Sequence, residues 1–136
     1  MPYHFKNYLE ELSKRCYEVI ADHSADKDLI DENKTLLLKL TDAEEVYESF
    51  LSINEKHVVE TLSATEDRDD ALYSTFAVWL LAEQKKQGKL DLDDSSDEIT
   101  SLLAGVQPIE IKQGDFIENA FEIVCMFERE LLHVES

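Results

Sequence analysis

TDAEEVYESFLSINEKHVVETL, residues 41–62, decides the fold class. Val46, Phe50, Ile53 and His57 recur at steps of three and four, with Tyr47, Leu51, Val58 and Leu62 in an adjoining row. Glu44, Glu48, Glu55 and Glu60 fill the remaining circumference. That period belongs to an amphipathic α-helix, since a half-buried strand would alternate every second residue. Thr41 followed by Glu44 matches a capping box, in which each side chain satisfies the other residue's orphan amide, so a helix is expected to open at Thr41.

The same period extends in both directions. Phe5, Leu9, Leu12, Cys16, Val19 and Ile20 predict a first helix over about Pro2 to Asp22. A polar break at Ser24–Lys27 separates it from a second helix, Asp28 to Leu40, with Leu29, Ile30, Leu36, Leu37 and Leu40 facing inward. Beyond residue 62, Thr65 opens a further helix whose first turns carry Glu66, Asp67, Asp69 and Asp70 and whose end, around Gly88, carries Lys85, Lys86 and Lys89. Both charge sets match the helix dipole. Between Ala71 and Ala82 nearly every face is apolar, which places this helix in the middle of the domain. Ser95 with Glu98 predicts a short helix ending at Gly105. Pro108–Lys112 reads as loop, because its alternation is too short to pair with anything. Asp115 with Glu118 starts a last helix that runs to about Val134. The expected fold is all-α: a single domain over residues 1–136, an antiparallel bundle of about five to six helices with short loops.

Composition supports helices and narrows the function. Three Gly and two Pro in 136 residues are too few for the turns of an all-β chain. Cys16 and Cys125 are far apart and each sits on an apolar stripe, so both read as buried reduced thiols in a reducing compartment. The N-terminus, MPYHFKNYLEELSKRC, has no uninterrupted apolar run, and no segment approaches the roughly 18 apolar residues that span a bilayer. A cytoplasmic protein is expected, with no membrane partner.

Charge is the extreme property. Thirty-one Asp and Glu against thirteen Lys and Arg leave a formal charge of −18. Such a surface repels nucleic acid and anionic membranes and speeds encounter with basic proteins. From Asp22 through Asp70 fifteen acidic residues face five basic ones, so more than half the imbalance sits in little over a third of the chain. This concentration selects Asp42, Glu44, Glu45, Glu48, Glu55, Glu66, Asp67, Asp69 and Asp70 as a candidate partner-binding face, with Tyr47 and Tyr73 as candidate aromatic anchors.

The chemistry-bearing motifs are each incomplete. Asp91–Glu98 is rich in carboxylates, but a calcium loop counted from Asp91 needs Gly where Ser96 stands and Glu where Leu102 stands. Glu130-Leu131-Leu132-His133 is a single Glu-x-x-His, whereas a di-iron bundle needs two plus two further Glu. No nucleophile is arranged with His57, and Cys16, though preceded by Lys14 and Arg15, reads as packing. Phosphate loops, HExxH and GxSxG are absent from the sequence. No catalytic residue, metal or cofactor is expected.

The expected function is that of a non-enzymatic acidic interaction protein. The combination of a small helical domain, dense carboxylates and no chemistry suits an immunity or antitoxin-type inhibitor that occludes a basic partner such as a nuclease toxin. Immunity proteins resemble this chain in size and charge alone. Two alternatives share the charge argument or the fold: a DNA mimic, whose carboxylate rows imitate phosphates and inhibit several DNA-binding proteins, and a secretion or assembly chaperone with an exposed apolar groove.

Overall fold

The computed structural model describes residues 4–62, 68–88, 106–107, 109 and 114–135. Among them are four helices: α1 (Phe5–Asp22), α2 (Lys27–Leu62), α3 (Arg68–Lys86) and α4 (Asp115–Glu135). No strand occurs among the described residues.

Helix α1 forms because its apolar residues keep the helical period, and Phe5, Tyr8, Leu9, Leu12 and Cys16 are all buried. It stops where the amide of His23 donates to the Val19 carbonyl at 2.9 Å. The following turn is closed by Asp26, whose carboxylate accepts the Leu29 amide at 3.1 Å while its backbone carbonyl accepts from Ile30. Asp26 is therefore the N-cap of α2, satisfying one of the four donors that every helix start leaves open. The two helices fold back on each other, bringing the Phe5 ring at the start of α1 to 5.2 Å from Tyr47 of α2.

Helix α2 corrects the expected helix count. The sequence motif at Thr41 predicts a boundary between two helices, yet Lys27–Leu62 is one helix of 36 residues, about 54 Å long. The Thr41 hydroxyl does not cap anything. It donates to the Leu37 carbonyl at 3.0 Å, the back-bond of a threonine inside a helix, and Thr35 does the same to Asp31. The physical reason is phase. Leu36, Leu37, Leu40, Ala43, Tyr47, Phe50, Asn54 and Val58 follow one another at steps of one, three or four along a single face that the core covers. With no Gly or Pro in between, breaking at Thr41 would sacrifice that register and leave several backbone groups unpaired. The remaining expected element, the short helix over Ser95–Gly105, lies outside the described residues. Ile53 and His57, placed on the inward stripe by the sequence, are exposed and Asn54 is buried instead, while Val58 of the adjoining row is buried as that row predicts.

Helix α3 buries Leu72, Tyr73, Phe76, Ala77, Trp79 and Leu80, but the central position expected of it falls to α2, which packs most extensively on the other helices, while Val78, Leu81 and Ala82 of α3 are only half-buried. Helix α3 ends with Lys85 and Lys86 in the last turn, followed by Gly88 at φ 76°, whose amide bonds to the Lys85 carbonyl at 2.9 Å. A side chain at Gly88 would meet no atom within 4 Å, so only backbone strain opposes it. Gly88→Ala is accordingly expected to cost about 1–2 kcal/mol, read from the urea midpoint, with no change in helical circular dichroism.

One apolar cluster draws on all four helices and on Ile109. Its centre is aromatic. Phe5 touches one ring from α2, two from α3 and one from α4, with centroids 5.2 to 5.5 Å away at Tyr47, Tyr73, Phe76 and Phe127. Most of these pairs meet edge-on or tilted, the arrangement favoured by ring quadrupoles. At the rim, Lys39 pairs with Glu122, and the Asn119 amide donates to Asp42 at 2.7 Å, tying α4 to α2.

Candidate functional site

Among the described residues, a groove opens between α1 and α2. Its deeper part is a hollow of about 680 Å³. One wall is α2, where Glu44, Glu48, Leu51, Ser52 and Glu55 occupy positions i, i+4, i+7, i+8 and i+11 and so share one helical face. The opposite wall is the first turns of α1, with His4, Lys6 and Glu10, and the floor is the edge of the core at Phe5, Leu9 and Leu72. A second, nearly flat patch continues along α1 past Ser13, Tyr17 and Ala21. Glu10 and Glu44 line both, so the two form one trough.

The candidate residues distribute unequally over this geometry. Glu44, Glu48 and Glu55 are exposed and converge on the groove, which Tyr47 also lines. Tyr47 is only 6% exposed and Tyr73 7%, so both rings belong to the aromatic core and not to the outer surface. Glu45 is exposed but lies about 100° round the helix from Glu44, on the outer flank. Asp42 is half-buried and engaged by Asn119 of α4, away from the groove. Asp70 is exposed on α3. Glu66 and Asp67 lie outside the described residues, as does the side chain of Asp69.

Carboxylates are not confined to one side of the molecule. Glu11, Glu18, Asp31, Glu32, Asp115 and Glu128 are exposed on three different helices. The local excess between residues 22 and 70 thus does not by itself define a face; the groove does. Glu10, Glu44 and Glu48 make no ion pair among the described residues, whereas Glu11 bonds Arg15 at 2.6 Å and Glu122 bonds Lys39. Sequence reasoning left out Glu10, Glu18 and Tyr17. Tyr17 is 65% exposed, an aromatic ring on the otherwise polar side of α1, off the stripe formed by Phe5, Leu9, Leu12 and Cys16. That displacement from the stripe was the available signal.

The remaining motif residues separate from the groove. His57 is exposed on α2, and its Nε2 lies 3.2 Å from the Gln107 amide nitrogen, which donates to it. Ile109 then inserts into the core. Asp91–Glu98 and the His133 side chain lie outside the described residues. Among the described residues, no group of three or more His, Cys, Asp and Glu is placed to hold a metal ion, and no helix is long and apolar enough to cross a membrane.

Cys16 is buried and Cys125 half-buried, neither in a disulfide. Burial pushes both thiols up, and Glu128 and Glu122 raise Cys125 further against a smaller opposing pull from Arg129. Burial, then the neighbouring Glu128 carboxylate, pushes the Tyr73 phenol up strongly. In all three the folded chain keeps a proton that the unfolded chain releases above its ordinary value, about 8.5 for thiols and about 10 for phenols. Their contribution to stability is full below those values and declines as pH rises past them. The urea midpoint is expected to hold near neutrality and to fall progressively above about pH 9. A midpoint that rises over that interval would contradict the buried placement of these groups.

The chain matches no protein-family profile, no curated protein and no solved structure.

Proposed function

We propose that this protein is a non-enzymatic acidic binding protein, an immunity or antitoxin-type inhibitor that occludes a basic partner such as a nuclease toxin. The observation that carries the reading is the groove: Glu10, Glu44, Glu48 and Glu55 stand around one concavity on a chain of net charge −18. A cationic nucleic-acid-binding surface presents Lys and Arg where phosphates would lie, and carboxylates at the mouth of a groove offer it a competing anion. The overall charge accelerates encounter, while the rim carboxylates supply short-range contacts. Because three of the four lie on the outward face of α2, whose inward face is held by the core, they are presented on a rigid element and need little ordering on binding.

The test is titration calorimetry with basic nucleases encoded beside this protein's gene, at low and at high salt. A one-to-one complex that weakens steeply as salt rises, with loss of nuclease activity in the complex, is the expected result. No complex at low salt with any such nuclease overturns the proposal. Competition with DNA for several unrelated DNA-binding proteins would replace it with mimicry.

A further inference from the structure

The shape of the trough specifies the partner's docking element. The hollow begins at His4 and the open patch ends at Ala21, both along α1. Seventeen helical steps correspond to about 25 Å, the length of a helix of about 17 residues. Through the superficial part, Glu10, Ser13, Lys14, Tyr17, Glu18 and Ala21 follow one another at steps of three, one, three, one and three, a single face of α1. Five carboxylates line the trough, Glu10, Glu18, Glu44, Glu48 and Glu55, against the two lysines Lys6 and Lys14. The deeper end has an apolar floor at Phe5, Leu9 and Leu72 with the half-buried Leu51 on its wall, and the superficial end carries the exposed Tyr17 ring. A hollow with an apolar floor and a negative rim, continued by an open patch that carries Tyr17, complements one kind of element: a helix with an apolar face flanked by Lys and Arg.

Resting on the reading of this protein as a binder of basic partners, we infer that the α1–α2 trough receives a basic amphipathic helix of the partner protein. One large apolar side chain enters the hollow beside Leu51 and Leu72. Another packs on Tyr17. The partner's Lys and Arg reach Glu10, Glu44, Glu48 and Glu55 on either side. Tyr17 is the anchoring ring of this contact, since an exposed, rigid aromatic gives a large contact area for little lost side-chain freedom.

The probe is a fluorescent Leu/Lys peptide of about 17 residues, with leucines at the helical period, compared with a peptide of the same composition in scrambled order. Anisotropy at about 0.1 M salt is expected to show the patterned peptide binding about tenfold tighter than the scrambled one. Replacing Glu44→Gln with Glu48→Gln weakens it by about fivefold or more, and Tyr17→Ala does likewise. The pair Asp31→Asn with Glu32→Gln removes the same charge from exposed positions of α2 outside the trough and leaves affinity within about twofold. All five positions are exposed, so the variants fold, which circular dichroism verifies. Equal binding of the scrambled peptide, or equal loss in the two charge pairs, overturns the inference. If a neighbouring nuclease binds in a salt-sensitive way and the Glu44/Glu48 pair does not matter, the trough is wrong while the inhibitor reading stands. If the patterned peptide seats in the trough and no nuclease binds, the inhibitor reading is wrong while the trough stands.

Discussion

Phe76→Ala is expected to lower the unfolding free energy by about 3–5 kcal/mol, the range for deleting a fully buried aromatic ring. Phe76 is 0% exposed and its ring meets Phe5, Tyr47, Phe50 and Trp79 at centroid distances of 5.0 to 6.5 Å. Three helices converge on those contacts, so no single helix can shift to close the void. Domains of this size are stable by only about 5–15 kcal/mol, and the loss therefore represents a large share of the total. Thermal denaturation should show a fall in midpoint on the order of 10 °C or more. Phe76→Leu keeps much of the volume and is expected to cost clearly less. A Phe76→Ala protein as stable as the parent would mean that the aromatic cluster does not hold the helices together.

Asp42→Pro distinguishes one long helix from two. If a helix began at Thr41, Asp42 would be its first helical residue, the position at which proline is favoured. In the continuous α2, residue 42 lies in the interior, and proline there removes an amide hydrogen bond and clashes with the carbonyl four residues back. The expected cost is about 3 kcal/mol or more, with a kink that misaligns Leu36 and Leu40 from Phe50. Asp42→Ala serves as the reference, because it loses the Asn119 contact and keeps the amide. Urea unfolding of the two variants should place Asp42→Pro far below Asp42→Ala. Equal stabilities would restore the two-helix reading.

A proline at residue 42 perturbs the turn before it and leaves the stretch from Glu44 to Glu55 helical, so those carboxylates still share a face. Asp42→Pro should therefore lower stability ahead of binding of a patterned basic peptide, whereas Phe76→Ala, whose ring meets Phe5 and Tyr47 of the trough lining, should weaken both.

Helical character was legible because each segment repeats its apolar residues at the helical period, and the caps at Asp26 and Gly88 stand where the composition changes. The break at Thr41 was misread because a capping box is a local motif, and its worth of about 1 kcal/mol is smaller than that of an uninterrupted buried face. Ile53 and Asn54 show the same limit. Hydrophobicity ranks the isoleucine inward, but the register that keeps Phe50 and Val58 in the core turns residue 54 inward and residue 53 outward.

The candidate site was half legible. Glu44, Glu48 and Glu55 could be placed on one face of α2 from spacing alone, because a helix converts sequence separation directly into angle. Tyr47 has the chemistry of an anchor, but the structure buries it against Phe5 and Phe76. Composition and period determined an all-helical chain, its strong negative charge and the ends of most of its helices, since those properties depend on neighbours within a few residues. Tertiary structure alone decided that α2 runs through Thr41, that Glu10 of α1 faces Glu44 of α2 across one groove, and that Tyr17 remains outside while Tyr47 goes in. Those outcomes depend on which helix covers which face, and that is set by burying all the apolar stripes at once, which no single segment encodes.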